Sequence, residues 1–133
     1  MIMFLKLDPP TVTAQMHKVT VRHGRVQFYD TAELKKARAL FVEALKAEAP
    51  EVPMEGPVSL AVTWKFRTKS HKDGEWRITR PDTDNLQKLL KDCMTATGYW
   101  KDDAQVCVET VMKLWSRDEP GIGIEVKRIQ CEV

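Results

Sequence analysis

The chain has 133 residues, of which 43 % are hydrophobic and 30 % are charged, and its formal net charge is +2. This length predicts a single domain, residues 1–133, with a hydrophobic core of ordinary size, and the composition is typical of globular proteins. No segment approaches the roughly 18 consecutive apolar residues that a membrane span needs, and the MIMFL start lacks a basic region and a cleavage site, so we expect a cytoplasmic protein without a membrane segment.

The first elements are predicted to be a strand and a hairpin. Residues 1–7 are typical of a short buried strand, which ends at Asp8 and the two prolines that follow it. Residues 18–29 alternate between apolar and polar types on either side of His23-Gly24, which predicts a β-hairpin with its turn there. The polar side of this hairpin is basic and could contact phosphates, although a solvent-facing side is polar by default; its cations include Lys18, Arg22 and Arg25.

A helix and a long strand should follow. Asp30 and Glu33 fit a capping box, and apolar residues then keep helical spacing to about Ala49, before two prolines end the helix. Residues 58–68 alternate more regularly than any other stretch, so they predict a strand with one apolar face. The loop after it contains Asp73-Gly74 and Trp76; the tryptophan could stack on a base, although packing is its commoner role.

Basic residues are concentrated from this strand to the start of the next helix. Such a run suits a polyanion such as a nucleic acid, and the alternative is a solvated edge that prevents aggregation. The basic residues of this run are Lys65, Arg67, Lys69, Lys72, Arg77 and Arg80.

The stretch RPDTDNLQKLLKDCMTATGYWKDD, residues 80–103, carries the clearest chemical signal. Asp84 and Gln87 fit a capping box, so we expect a helix from Asn85 to Thr97. Its apolar residues recur at helical spacing and predict one buried face, and Gly98 is a good stop because glycine tolerates the left-handed conformation.

The two ends of this stretch are acidic, with Asp82 and Asp84 before the helix and Asp102 and Asp103 after it. The helix spans roughly 20 Å, and the extended residues that follow can return most of that length, so Asp103 can reach the side of Asp82 and Asp84. Converging carboxylates repel one another unless a cation lies between them, and oxygen ligands favour a hard ion such as Mg²⁺. The alternative is that the first pair caps the helix and the second forms a solvated turn.

One basic residue accompanies these acids. Lys88 lies one helical turn after Asp84 on the same face, so its ammonium could reach a phosphate or a developing negative charge at this site.

Two further strands, residues 104–115 and 123–133, complete the prediction of an α+β fold: one mixed β-sheet with two main helices packed on it. The cysteines Cys93, Cys107 and Cys131 are widely separated and odd in number, so we expect buried free thiols rather than disulfides or zinc ligands.

The stretch from Arg80 to Asp103 resembles the signature of the RusA family of Holliday junction resolvases. That signature is Asp-x-Asp-Asn before a helix bearing a lysine, then a glycine and Asp-Asp. The matching positions are Asp82, Asp84, Asn85, Lys88, Gly98, Asp102 and Asp103.

The resemblance implies a RusA-like fold and a homodimeric, Mg²⁺-dependent endonuclease that binds four-way DNA junctions and cuts opposing strands symmetrically. It implies that Asp82, Asp84 and Asp103 are the essential acids and metal ligands and that Lys88 is also required, with Asn85 and Asp102 as supporting residues. The family's basic cluster soon after a proline pair has no counterpart after Pro9-Pro10, where TVTAQMH follows and positive charge returns only at residues 18–25.

Two other functions compete with this hypothesis. A DNA-junction-binding module without catalysis would carry the same basic residues with structural acids. A metal-dependent phosphotransferase is disfavoured because the chain has no glycine-rich phosphate loop.

Overall fold

The computed structural model describes residues 1–11, 17–22 and 25–130, with backbone alone for 17–22 and 25–30. In chain order the strands and helices are β1 (Ile2–Leu5), β2 (His17–Arg22), β3 (Arg25–Asp30), α1 (Ala32–Glu48), β4 (Val58–Arg67), α2 (Thr83–Ala96), β5 (Val106–Ser116) and β6 (Gly121–Arg128). A short 3₁₀ turn, Asp103–Gln105, precedes β5.

The main sheet has four strands in the order β1-β6-β4-β5. β4 pairs with β5 in parallel and with β6 antiparallel, and β1 pairs antiparallel with β6. The hairpin β2–β3 forms a separate two-stranded sheet, and its predicted turn at His23-Gly24 lies outside the described residues. The prediction of an α+β fold with a mixed sheet and two helices is confirmed.

Strand β4 forms the centre of the core because alternate side chains point to one face of the sheet. Those on the helix-covered face have exposed fractions of 2 % or less, and they are Val58, Leu60, Val62, Trp64 and Phe66. Both helices cover this face, and the Phe41 ring of α1 lies 6.0 Å from the Trp64 ring. The rigid core therefore extends directly beneath α2.

Both predicted capping boxes are wrong. α2 begins at Thr83 after the N-cap residue Asp82, not at Asn85 after Asp84. Gln87 is buried and binds core groups instead, so it does not return to the helix start. In α1 the N-cap is Thr31, whose hydroxyl accepts a hydrogen bond from the Leu34 amide at 3.2 Å; the predicted pair of Asp30 and Glu33 is not used.

The chain that leaves α2 is tied to the core. Gly98 has φ of 85°, as its predicted role as a helix stop requires. The buried Tyr99 donates its hydroxyl hydrogen to the Leu45 carbonyl at 2.7 Å, and its own carbonyl accepts from the Met54 amide at 2.9 Å. These bonds fix the direction in which residues 100–103 return towards the start of β5.

The end of the sheet differs from the sequence prediction in two ways. β5 begins at Val106 because residues 103–105 form the 3₁₀ turn, and β6 extends from Gly121 to Arg128. Cys93 is buried, as predicted, whereas the prediction for Cys107 is wrong, because Cys107 is exposed on the edge strand β5. Cys131 lies outside the described residues.

In the described part of the chain, neither helix combines the length and the apolar character needed to cross a membrane.

Candidate active site

A pocket of about 470 Å³ lies between α2 and β5. Because parallel strands need a crossover connection, α2 links β4 to β5 and brings its exposed side beside the edge of the sheet. The residues that line the pocket are Thr83, Asp84, Gln87, Lys88, Lys91, Asp103, Glu109 and Val111. Three predicted site residues, Asp84, Lys88 and Asp103, thus share one cavity.

Helical spacing explains how α2 contributes to this pocket. Asp84, Lys88 and Lys91 lie four and three residues apart and therefore project from the same side of the helix. The residues between them, among which Leu86, Leu89 and Leu90 are completely buried, anchor the opposite side in the core. The ammonium groups of the two lysines thus lie along the wall that also carries the Asp84 carboxylate.

Asp82 occupies the N-cap position of α2, but its side chain makes no capping hydrogen bond. Its backbone carbonyl accepts from the Leu86 amide at 3.1 Å, so only the backbone of Asp82 supports the first turn. The residue is exposed and does not line the pocket. Its carboxylate is therefore not engaged by the helix amides that would bind it in an ordinary cap.

The acids at the far end of α2 behave differently from each other. The Asp102 carboxylate accepts from the Ala104 amide at 2.9 Å, and the Gln105 side chain accepts from the Asp102 amide at 3.1 Å, which completes a capping box. Asp103 is half-buried and lines the pocket. The capping box thus engages the carboxylate of Asp102, whereas Asp103 lines the cavity.

The base of the pocket contains a hydrogen-bonded chain that the sequence did not reveal. Gln87, with 3 % exposure, accepts from the indole nitrogen of Trp64 at 2.7 Å and donates to a Glu109 oxygen at 2.7 Å. Lys91 binds the other Glu109 oxygen at 3.2 Å. The only sequence signal for Gln87 was its place three residues after Asp84, and for Glu109 it was a charge inside a valine-rich strand.

A second group of cations lies beside the start of α2. Burial lowers the pKa of Lys113, the positive charge of Arg77 lowers it further, and the carboxylate of Asp82 opposes both effects. Burial also lowers the pKa of Arg77, whose guanidinium lies 4.3 Å from the ring centre of Phe66 and 4.4 Å from that of Trp115. Arg77 is thus packed on aromatic rings.

The other predicted DNA-binding residues do not line the pocket. Lys65 lies on the opposite face of the sheet, 5.7 Å from the ring centre of Phe4, and Arg67 forms an exposed ion pair with Asp8 at 3.1 Å. Lys69, Lys72 and Arg80 are exposed in the segment between β4 and α2. For Lys18, Arg22 and Arg25 the structure gives the strand positions, with Arg22 paired to Arg25.

The donor set fits a hard divalent cation in its chemistry. Three acidic residues, Asp84, Asp103 and Glu109, line the pocket, and Mg²⁺ is commonly held by one or two carboxylates together with water and substrate phosphates. Among the residues whose side chains the structure describes, no three acidic, histidine or cysteine side chains are gathered closely enough to hold a metal by themselves.

Comparison with known proteins identifies relatives over nearly the whole chain. The family described as endodeoxyribonuclease RusA matches residues 9–127. The crossover junction endodeoxyribonuclease rusA of Lactococcus phage r1t is 33 % identical over 130 residues, which cover 96 % of this chain and 92 % of the relative. The crossover junction endodeoxyribonuclease RusA of Escherichia coli K12 is 32 % identical over 93 residues, which cover 70 % of each chain. The uncharacterized protein YqaN of Bacillus subtilis 168 is 29 % identical over 124 residues, which cover 84 % of this chain and 86 % of YqaN.

Proposed function

The chain belongs to the endodeoxyribonuclease RusA family, and on this premise we propose that it is a Mg²⁺-dependent endonuclease that resolves Holliday junctions by paired, symmetric cuts. The observation that carries the proposal is the shared pocket of Asp84, Lys88 and Asp103, since two acids that are distant in sequence and a cation meet there. The crossover junction activity in the names of the relatives supports four-way DNA as the substrate.

The reaction is hydrolysis of a phosphodiester. A water molecule loses a proton as its oxygen forms a new bond to phosphorus, the bond from phosphorus to the 3′ oxygen breaks, and the 3′ oxygen takes up a proton, which gives a 5′-phosphate and a 3′-hydroxyl. Asp82, Asp84 and Asp103 would hold the Mg²⁺, which when bound supplies positive charge against the phosphate and activation of water.

Other side chains at the site have supporting roles in this reaction. The Lys88 ammonium is positioned to stabilise the negative charge that develops on the phosphate oxygens. Lys91 is already paired with Glu109, so it contributes less charge to the substrate than Lys88 does. Asn85 and Asp102 are supporting residues in this proposal, and the Asp102 carboxylate holds the turn after α2 by accepting from the Ala104 amide.

The basic residues outside the pocket bind the DNA backbone in this proposal. Phosphate contacts orient a duplex without reading its sequence, which suits recognition of a branch. The residues assigned to this role are Lys18, Arg22, Arg25, Lys65, Arg67, Lys69, Lys72, Arg77 and Arg80.

Two cuts across a symmetric junction require two active sites related by a twofold axis, so we propose a homodimer that acts on cytoplasmic DNA. Measuring mass and cleavage together tests the proposed dimer. Light scattering should give twice the chain mass at the protein concentration where both strands are cut. A monomeric mass under those conditions would contradict it.

The activity itself is tested with the purified protein and a 5′-labelled four-way junction. We expect paired incisions at symmetric positions with Mg²⁺, none with EDTA, and none on a linear duplex of the same sequence. Junction binding without any cleavage across divalent metals would instead identify a non-catalytic junction-binding module. Hydrolysis of nucleotides without junction cleavage would identify a phosphotransferase-like enzyme.

A further inference from the structure

Lys113 makes contacts that no DNA-binding or catalytic role requires. It pairs with Trp64 across the β4–β5 ladder and so lies on the helix-covered side of the sheet. Its ammonium donates to the carbonyl oxygens of Thr79 and Pro81, both at 2.7 Å. A half-buried lysine on β5 therefore holds the last residues of the segment that leads into α2.

The carbonyl between these two is held by a second cation. The Arg77 guanidinium donates to the Arg80 carbonyl, and the Arg77 amide donates to the Lys113 carbonyl at 3.0 Å. The carbonyls of residues 79, 80 and 81 thus each accept a hydrogen bond from Lys113 or Arg77. Hydrogen bonds from charged donors are roughly twice as strong as neutral ones, so this turn is firmly attached to β5.

The turn ends at Asp82. Because the Asp82 side chain makes no capping bond to α2, the helix does not fix its direction. The chain that precedes Asp82 is held instead by the bonds from Lys113 to the carbonyls of Thr79 and Pro81, which fix where the Asp82 backbone enters the helix.

We propose that Lys113 is a positioning residue, which holds the turn 79–81 and thereby sets where Asp82 enters α2, beside the pocket lined by Asp84 and Asp103. This inference rests on the proposed function for its catalytic meaning, but its structural part concerns the protein alone. It assigns Lys113 no contact with DNA and no contact with the reacting atoms.

Two substitutions at this position separate the role from simple packing. Lys113→Met keeps the length of the side chain and removes its donors, whereas Lys113→Arg keeps a charged donor. Lys127→Met is the matched control, because Lys127 is an exposed lysine on β6. Thermal unfolding of each variant establishes that the protein is folded before other measurements are compared.

Three measurements define the expected result. Lys113→Met should raise the Mg²⁺ concentration for half-maximal cleavage at least about tenfold, as loss of an outer partner of a metal ligand commonly does. Lys113→Arg should bring this concentration most of the way back to the wild-type value. Junction affinity in EDTA should change less than about twofold, since phosphate contacts are untouched. Hydrogen exchange at the Leu86 amide, which binds the Asp82 carbonyl, should accelerate in the metal-free Lys113→Met protein.

Several outcomes would overturn the proposal. Wild-type Mg²⁺ dependence in Lys113→Met would show that the turn does not orient Asp82, and weakened junction binding with unchanged exchange would make Lys113 a DNA contact. If Lys113→Met does not fold, Mg²⁺ dependence in Lys113→Arg more than about tenfold different from wild type would reject positioning by charged donors. If the wild-type protein cuts no junction, the proposed function fails, while the exchange experiment still decides the role of Lys113.

Discussion

The two acidic turns at the ends of α2 have the same type of sequence but engage their carboxylates differently. At the entry, Asp82 is the N-cap of α2 and its side chain makes no capping bond. At the exit, Asp102 is the N-cap of the 3₁₀ turn, and its carboxylate takes part in a complete capping box with Gln105. The same residue in the same helical position is therefore structural at one end and available to a ligand at the other.

This difference shows how a functional acid can be recognised. A capping side chain commonly stabilises a helix by about 1 kcal/mol, and Asp82 makes no such contribution although it occupies the N-cap position of α2. At the exit, the cap made by Asp102 turns its neighbour Asp103 into the pocket. The unused hydrogen-bonding capacity of Asp82, more than the Asp-x-Asp pattern, is what favours it as one of the proposed metal ligands.

The largest effect is expected for the three acids that are proposed to hold Mg²⁺. Asp82→Asn, Asp84→Asn and Asp103→Asn should each lower the rate of Mg²⁺-dependent junction cleavage by at least about 100-fold, because a neutral amide cannot offset the charge of the ion. Gel-shift binding in EDTA should persist. Asp118→Asn removes an exposed acid from the β5–β6 turn and serves as the control; cleavage by all three site variants at the wild-type rate would disprove the assignment.

A smaller difference should separate the two lysines of the pocket wall. Lys88→Met should slow cleavage about 100-fold through lost stabilisation of the phosphate charge. Lys91→Met should slow it much less, since the Lys91 charge is already balanced by Glu109 at 3.2 Å. Single-turnover rates at saturating Mg²⁺ measure this contrast, and equal losses in the two variants would contradict it.

The smallest effect should appear at the exit cap, where charge and hydrogen bonding can be separated. Asp102→Asn keeps a side chain that caps well and should retain cleavage, whereas Asp102→Ala should lower the free energy of unfolding by about 1 kcal/mol. Calorimetry and the cleavage assay together test this. A loss of cleavage in Asp102→Asn as large as that in Asp103→Asn would make Asp102 a member of the site.

Periodicity allowed much of this molecule to be predicted. The alternation of residues 58–68 gave β4 nearly to the residue, and the spacing of Leu86, Leu89 and Leu90 gave the buried side of α2. Both predictions succeeded because the pattern of side chains within one element follows directly from its backbone geometry. Chain lengths also predicted that Asp103 returns beside Asp82 and Asp84; Asp84 and Asp103 line the same pocket, whereas Asp82 does not line it.

The parts that could not be predicted depend on contacts between elements. The supposed capping role of Gln87 failed because Trp64, on another element, binds its side chain. Glu109 and Lys113 enter the site from β5, and nothing near them in sequence indicates which strand β5 joins. Cys107 looked buried because apolar alternation cannot distinguish an edge strand from a central one.

The position of β6 has a consequence for how the molecule acquires its pocket during synthesis. β6 follows β5 in the chain, yet it lies between β1 and β4, so β1 cannot pair with β6 until residues 121–128 have emerged. The parallel pairing of β4 with β5 also requires closure of the long α2 connection, a slow kind of contact to form. A nascent chain that stops short of Gly121 is therefore expected to carry the acids of the site while β1 and β4 still lack the strand that joins them, so that the sheet beneath the pocket is completed only after β6 has been made.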